Sequence, residues 1–207
     1  VCIGHQYLFL HKDFGLPREK YPDSIALDFF TRLTSVNAVK HLALSFRPME
    51  RDEKHGIVAV PPLLRPEVLA TEPVRGEYLH GYMLNSGFAD DVMKWHAENP
   101  EVELRFFWDN WDAGKIHKID DKLTFYLIDD KEFLRQMSGC RAYASTAGFE
   151  SVCEAMYMGK PILMVPSHIE QEINAFDAMR SGAGISSDHF DLSSLIEFSD
   201  TYQPDES

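Results

Sequence analysis

The sequence predicts an α/β protein: a doubly wound parallel sheet preceded by a remnant of another unit. Three observations carry this. Past a proline-rich stretch, strand-like and helix-like segments alternate, the helical ones running about 10–14 residues. That is the pattern of parallel βαβ units with right-handed crossovers. The segments LTFYLI and PILMV are apolar throughout, as strands covered on both faces are. The stretch IVAVPPLLRPEV, with Pro61, Pro62 and Pro66, separates the regular part from an irregular one. Prolines stiffen a chain and end both helix and sheet, so this stretch reads as a connector with a boundary near residues 62–74.

The elements follow in order. VCIGHQYLFL reads as a strand running into a loop, PDSIALDFFTRLTSVNAV as a helix, KHLALSF as a short strand and RPMERDEKHG as a polar turn. After the connector come the strand EYLHGYML, the helix GFADDVMKWHAENP and the strand VELRFFW. DNWDAGKIHKIDDK reads as a long polar loop, then LTFYLI as a strand. DKEFLRQMSGC is a helix entered through Asp129 or Asp130 as cap. RAYAST is a strand, GFESVCEAMYMG a helix stopped by Gly159, KPILMVP a strand and IEQEINAFDAMRSG a helix stopped by Gly182. AGISS and LSSLIEFSD close the pattern as a strand and a helix.

Composition narrows the function classes. The chain has 207 residues, 44% apolar and 26% charged, which is globular composition. Its net charge of −13 divides unevenly, +1 over residues 1–60 and −14 over 61–207. So acidic a body repels a phosphate backbone at long range, which argues against nucleic-acid binding. No apolar run reaches the roughly 18 residues that cross a bilayer, and no basic-then-apolar leader opens the chain. Cys2, Cys140 and Cys153 show no metal spacing and read as reduced, packed thiols of a cytosolic protein. A peripheral place on the inner membrane stays open for the intact protein. The chain begins at Val1 inside an apolar run, so it reads as a piece of a longer one.

The stretch STAGFESVCEAMYMGKPILMVPSHIEQEINA, Ser145 to Ala175, carries more than core packing explains. In a doubly wound sheet, ligands bind beyond the carboxyl ends of the strands. YAST is such an end, and Ala147, Gly148 and a helix follow. Gly148 lets a ligand approach the backbone, and the first helical turn offers unpaired N–H groups at the positive end of the dipole. With the Ser151 hydroxyl this makes a phosphate or diphosphate site that needs no basic patch. Glu154 shares a helix face with Glu150 and Ser151. One turn behind the phosphate, it is placed to accept hydrogen bonds from the vicinal hydroxyls of a ribose. Glu170, Gln171 and Asn174 open the next helix, where carboxylate and amide groups can grip sugar hydroxyls.

These residues resemble the donor-site signature of the GT-B glycosyltransferases, among them the plant secondary-product and bacterial lipid-intermediate transferases. Gly148, Ser151, Glu154, Gly159-Lys160-Pro161, Pro166, Glu170-Gln171 and Asn174-Ala175 carry the resemblance over about 30 residues, while GHQY and VPPLLRPEV resemble a bacterial and archaeal branch. The fold implied is a Rossmann-like C-terminal half over 63–207, with 1–62 as the incomplete end of the acceptor-side domain and its linker. The resemblance implies a sugar moving from a nucleotide diphosphate sugar, a UDP-sugar foremost, to an acceptor hydroxyl on a lipid, glycan or small molecule. It implies no tightly bound cofactor or metal. Gly148, Phe149, Glu150 and Ser151 would meet the diphosphate, Glu154 the ribose, Glu170 and Gln171 the sugar, and the loop at Ile128 and Asp129 the base. Thr146 stands where plant members carry His, and Glu170 where many carry Asp. The base of the family lies in the N-terminal domain, and His5 is the remaining candidate. The chain alone is expected to bind nucleotide, to turn over little or not at all, and to be open to dimerisation through exposed apolar surface.

Each site residue has a plainer reading. Gly148 fits a tight turn, Glu154 a solvated carboxylate, Gln171 and Asn174 caps or surface residues, and His5 a hydrogen-bonded structural histidine. DNWDAGKIHKIDD lacks the calcium-loop pattern and reads as solvated loop. Two rival functions share the fold, a nucleotide-sugar 2-epimerase and a non-enzymatic nucleotide-sugar-binding module. SHIEQEINA does not match the Thr-Glu-Arg-Pro-Glu-like stretch such epimerases carry.

Overall fold

The computed structural model of the chain describes residues 1–84 and 86–204; residue 85 and residues 205–207, inside the region expected to be the C-terminal domain, lie outside them. Among the described residues, ten strands pair into two sheets and seven α-helices pack with them. The smaller sheet joins β1 (Cys2–Gly4), β2 (His41–Leu44) and β3 (Ile57–Val60) in that order, all parallel. A 3-10 helix over His5–Leu10 and helix α1 (Ser24–Thr34) connect β1 to β2. Here the sequence reading needs two corrections. IVAV is a strand rather than connector, its pattern hidden by the prolines that follow it. The loop expected after β1 is wound as 3-10 helix. The true connector carries one further turn of helix, α2 (Pro66–Leu69), with Pro66 in its first turn.

The larger sheet has seven strands: β4 (Leu79–Met83), β5 (Leu104–Trp108), β6 (Ile116–Lys118), β7 (Leu123–Leu127), β8 (Ala142–Ser145), β9 (Ile162–Met164) and β10 (Gly184–Ser186). Their order across the sheet is β10-β9-β8-β4-β5-β7-β6. Helices α3 (Ala89–Glu98), α4 (Asp130–Gly139), α5 (Phe149–Tyr157), α6 (Ile169–Arg180) and α7 (Leu192–Thr201) cover its faces. The chain starts at the central β4, moves out one way to β5 and β7, then returns to β8 on the far side, where Leu79 faces Ala142 and Tyr82 faces Ser145. The winding therefore reverses between β4 and β8, and the predicted doubly wound α/β fold is the one found. One strand departs from it. Within the segment read as polar loop, Ile116–Lys118 pairs antiparallel with β7. All three of its residues are exposed, so no apolar alternation announced it.

Side chains fill both faces of this sheet. Phe106 and Phe107 are adjacent and both fully buried, one in the cluster with Leu79, Phe125 and Phe190, the other with Phe133, Tyr143 and Val152. Successive strand residues point to opposite faces, so one FF pair serves two cores. A third cluster holds the small sheet, and Ile173 of α6 is part of it. Thus α6 packs on both units. Its Asp177 is fully buried with Arg47 Nε 3.5 Å away, and Arg180 donates to the Phe14 carbonyl.

Candidate functional site

The carboxyl ends of β7, β8 and β9 and the loops that leave them lie at one edge of the sheet, beside the winding reversal, the end at which doubly wound sheets bind ligands. The loop after β8 is tight. Ala147, not Gly148, takes the left-handed conformation, with φ +60°. An L-residue there costs roughly 1–2 kcal/mol, so the surroundings must hold it. They do: Ala147 is fully buried, its N–H donates to Ser145 Oγ at 3.2 Å, and its carbonyl accepts from Asn174 Nδ2 at 3.0 Å. Gly148 then caps α5 with ordinary extended angles, φ −64° and ψ 132°, and no side chain caps the helix. The N–H groups of Phe149, Glu150 and Ser151 precede the first intrahelical bond, from Val152 N–H to Gly148 O at 3.1 Å.

The expected site residues fall into two groups. Gly148, Phe149 and Ser151 are half-buried at the mouth of the helix, and Glu150, Glu170, Ile128 and Asp129 are exposed at the same edge. The Ser151 hydroxyl donates to the Gly148 carbonyl at 3.2 Å, closing the first turn. Thr146, Gln171 and Asn174 are buried. Gln171 Oε1 accepts from Ser167 N–H and Oγ at 2.9 and 2.8 Å, and so fixes the loop after β9. Asn174 braces the strained Ala147. In the free chain both amides hold loops in place from buried positions, so neither is the cap or surface residue of the plainer reading. Asp129 is the cap of α4, accepting from Glu132 N–H at 2.9 Å.

Glu154 is 4% exposed, not the solvated carboxylate of the plainer reading, and is bound by a residue that no spacing pattern points to: Arg65 Nε and Nη2 reach its two oxygens at 2.6 and 2.7 Å. That pairing raises the Arg65 guanidinium above its ordinary value. No local spacing could have found it, since 89 residues separate the partners. His5 stacks on Phe149 with ring centroids 3.9 Å apart and donates from Nδ1 to the Leu44 carbonyl at 2.8 Å. Burial drives it down to about 4, so it is a poor base at neutral pH and fits the structural reading. Among the described residues, no group of His, Cys, Asp and Glu is placed to hold a metal ion, and no helix is long and apolar enough to cross a membrane.

A bare helix N-terminus at the reversal of a doubly wound sheet, with a buried carboxylate one turn behind it, is the arrangement expected of the Rossmann-like half of a GT-B fold. The chain belongs to glycosyl transferase family 1, whose profile matches residues 16–201. Among solved structures it is similar to the glycotransferase of kitacinnamycin, with 17% identity over 88% of this chain and 54% of that one, and a TM-score of 0.59. It is similar also to the calicheamicin glycosyltransferase CalG4, with 16% identity over 95% and 57% and a TM-score of 0.58. At such identity these likenesses speak for the fold. The chain spans little more than half the length of either protein. Comparison with curated proteins gave no match. The family match does not favour the epimerase alternative.

Proposed function

We propose that the chain is the donor-binding part of an enzyme that moves a sugar from a nucleotide diphosphate sugar to an acceptor hydroxyl. The observation that carries this reading is α5: an uncapped N-terminus beyond β8, with buried Glu154 on its second turn. The diphosphate takes the N–H groups of Phe149, Glu150 and Ser151, with Thr146 and Gly148 shaping the approach. Glu154 takes the ribose. Ile128 and Asp129 border the base, and Glu170 with Gln171 and Asn174 the sugar. UDP is the favoured nucleotide. In transfer, the acceptor oxygen attacks the anomeric carbon, the bond to the diphosphate breaks, and the acceptor proton passes to a base. Charge that grows on the departing diphosphate meets the fixed dipoles of α5. Residues 1–62 belong to the acceptor side and 63–207 to the donor side in this reading.

Calorimetric titration with UDP, GDP, ADP and dTDP is the test. One nucleotide is expected to bind selectively, and Glu154→Ala to weaken it by about 1–3 kcal/mol, the worth of hydrogen bonds to a charged group. An unchanged affinity removes Glu154 from the site. The isolated chain is also expected to self-associate, because α1 exposes Ile25, Phe29, Phe30 and Leu33, each about 60–70% accessible, on one apolar face. A sedimentation run that finds only monomer discards that part.

A further inference from the structure

Arg65 is a cation in the acidic part of the chain, and it stands on the connector between the two sheets. Pro66 follows it, which restricts its backbone to the extended conformation found, φ −63° and ψ 143°. From there the side chain reaches α5. Nε and Nη2 each donate to a different oxygen of Glu154, a bidentate fork. Among the described residues, Arg65 is the one hydrogen-bonding partner of that carboxylate.

Two parallel N–H donors on a carboxylate and the two O–H donors of a vicinal diol make the same pattern. Each fork fills both oxygens from one side, and one carboxylate does not take both forks on that side. We propose that Arg65 occupies, in the free chain, the place on Glu154 that the donor's ribose takes in the complex, so that nucleotide binding is an exchange of partners on Glu154. This rests on the ribose reading of Glu154 above. The exchange does not strand a buried charge. The Arg65 side chain is 37% exposed, and Asp130 Oδ1 lies 3.7 Å from its Nη1 at the mouth of the site. The guanidinium can turn to that carboxylate and to water, while Glu154 receives the ribose hydroxyls without facing an empty buried site.

Nitrogen-15 NMR of the Arg65 Nε–H tests this directly, with the signal identified by its loss in Arg65→Lys. In the free chain the proton is expected to exchange slowly with water. At saturation with UDP, established by calorimetry on the same sample, exchange is expected to rise at least tenfold. Uridine, which carries no phosphate to feel the lost charge, is expected to bind Arg65→Ala several-fold more tightly than the parent chain. Nucleotide binding detected only in Arg65→Ala also supports the exchange, as a latch too strong for the ligand to open. UDP bound with the Nε–H still protected overturns it: Arg65 then stays on Glu154 and orients it. Absence of heat with all four nucleoside diphosphates, in both the parent chain and Arg65→Ala, removes the donor site itself and the exchange with it.

Discussion

Gly148 has room that the free chain does not use. A Cβ built there would meet only Ser151 Oγ, at an ordinary 3.7 Å, and the backbone angles suit any residue. A side chain at this position would meet no obstacle in the fold and would obstruct only the ligand proposed above. Gly148→Val is therefore expected to leave the melting temperature within about 2 °C of the parent, while nucleotide affinity falls about tenfold or more. A large drop in melting temperature returns Gly148 to a turn role. His5 makes a pH prediction. Above pH 6.5 its ring is neutral in folded and unfolded chains alike. Between 6.5 and about 4 the unfolded chain takes up a proton that the folded chain refuses. Stability therefore falls as pH falls through that window, by up to ~3 kcal/mol. His80, fully buried and lowered to about 3, acts in the same direction. Urea melts at stepped pH should show the loss, and His5→Gln should flatten it by one histidine's share.

Elements declared themselves where local chemistry decides them. Gly159, at φ +64°, ends α5, with Lys160 N–H closing on the Ala155 carbonyl at 2.9 Å, and Gly182 at φ +74° ends α6. Asp129 opens α4 by the hydrogen bond its residue type suggests. Its replacement by Ala is expected to cost about 1 kcal/mol in a urea melt, the ordinary worth of a cap. Elements that depend on distant partners stayed silent. β3 looked like connector because its place in a parallel pair is set by β2, not by its own neighbours. β6 buries none of its three residues; backbone bonds hold it to β7, and His117 lies beside the Trp108 ring. The candidate site divides along the same line. The helix end, the glycine and the three carboxylates were legible as a spacing pattern. The grip of Arg65 on Glu154 was not, and neither was the use of Gln171 and Asn174 as loop braces. Side-chain partners in space leave no trace in spacing.

Across the whole molecule the joint between the sheets runs through α6. One flank of that helix braces the loop after β8 through Asn174, and the other enters the small sheet's core through Ile173. Asp177 is buried there, and burial raises its carboxyl above the usual range while Arg47 lowers it. Removing the cation leaves a charge stranded in low dielectric, so Arg47→Met is expected to destabilise the chain by roughly 2–4 kcal/mol at neutral pH. A carboxyl raised in the folded state favours folding below its unfolded pKa and loses that advantage as pH rises. The gap between Arg47→Met and the parent should therefore narrow as the pH of the melt is lowered toward 4. The same helix decides how this protein can be recombined with its relatives. The proline connector is the inviting place to cut and exchange the unit that holds the small sheet, yet a splice there leaves the incoming unit facing a foreign α6. A chimera that keeps its shape must carry over the outward side chains Ile169, Ile173, Phe176, Asp177 and Arg180 with the half they were fitted to.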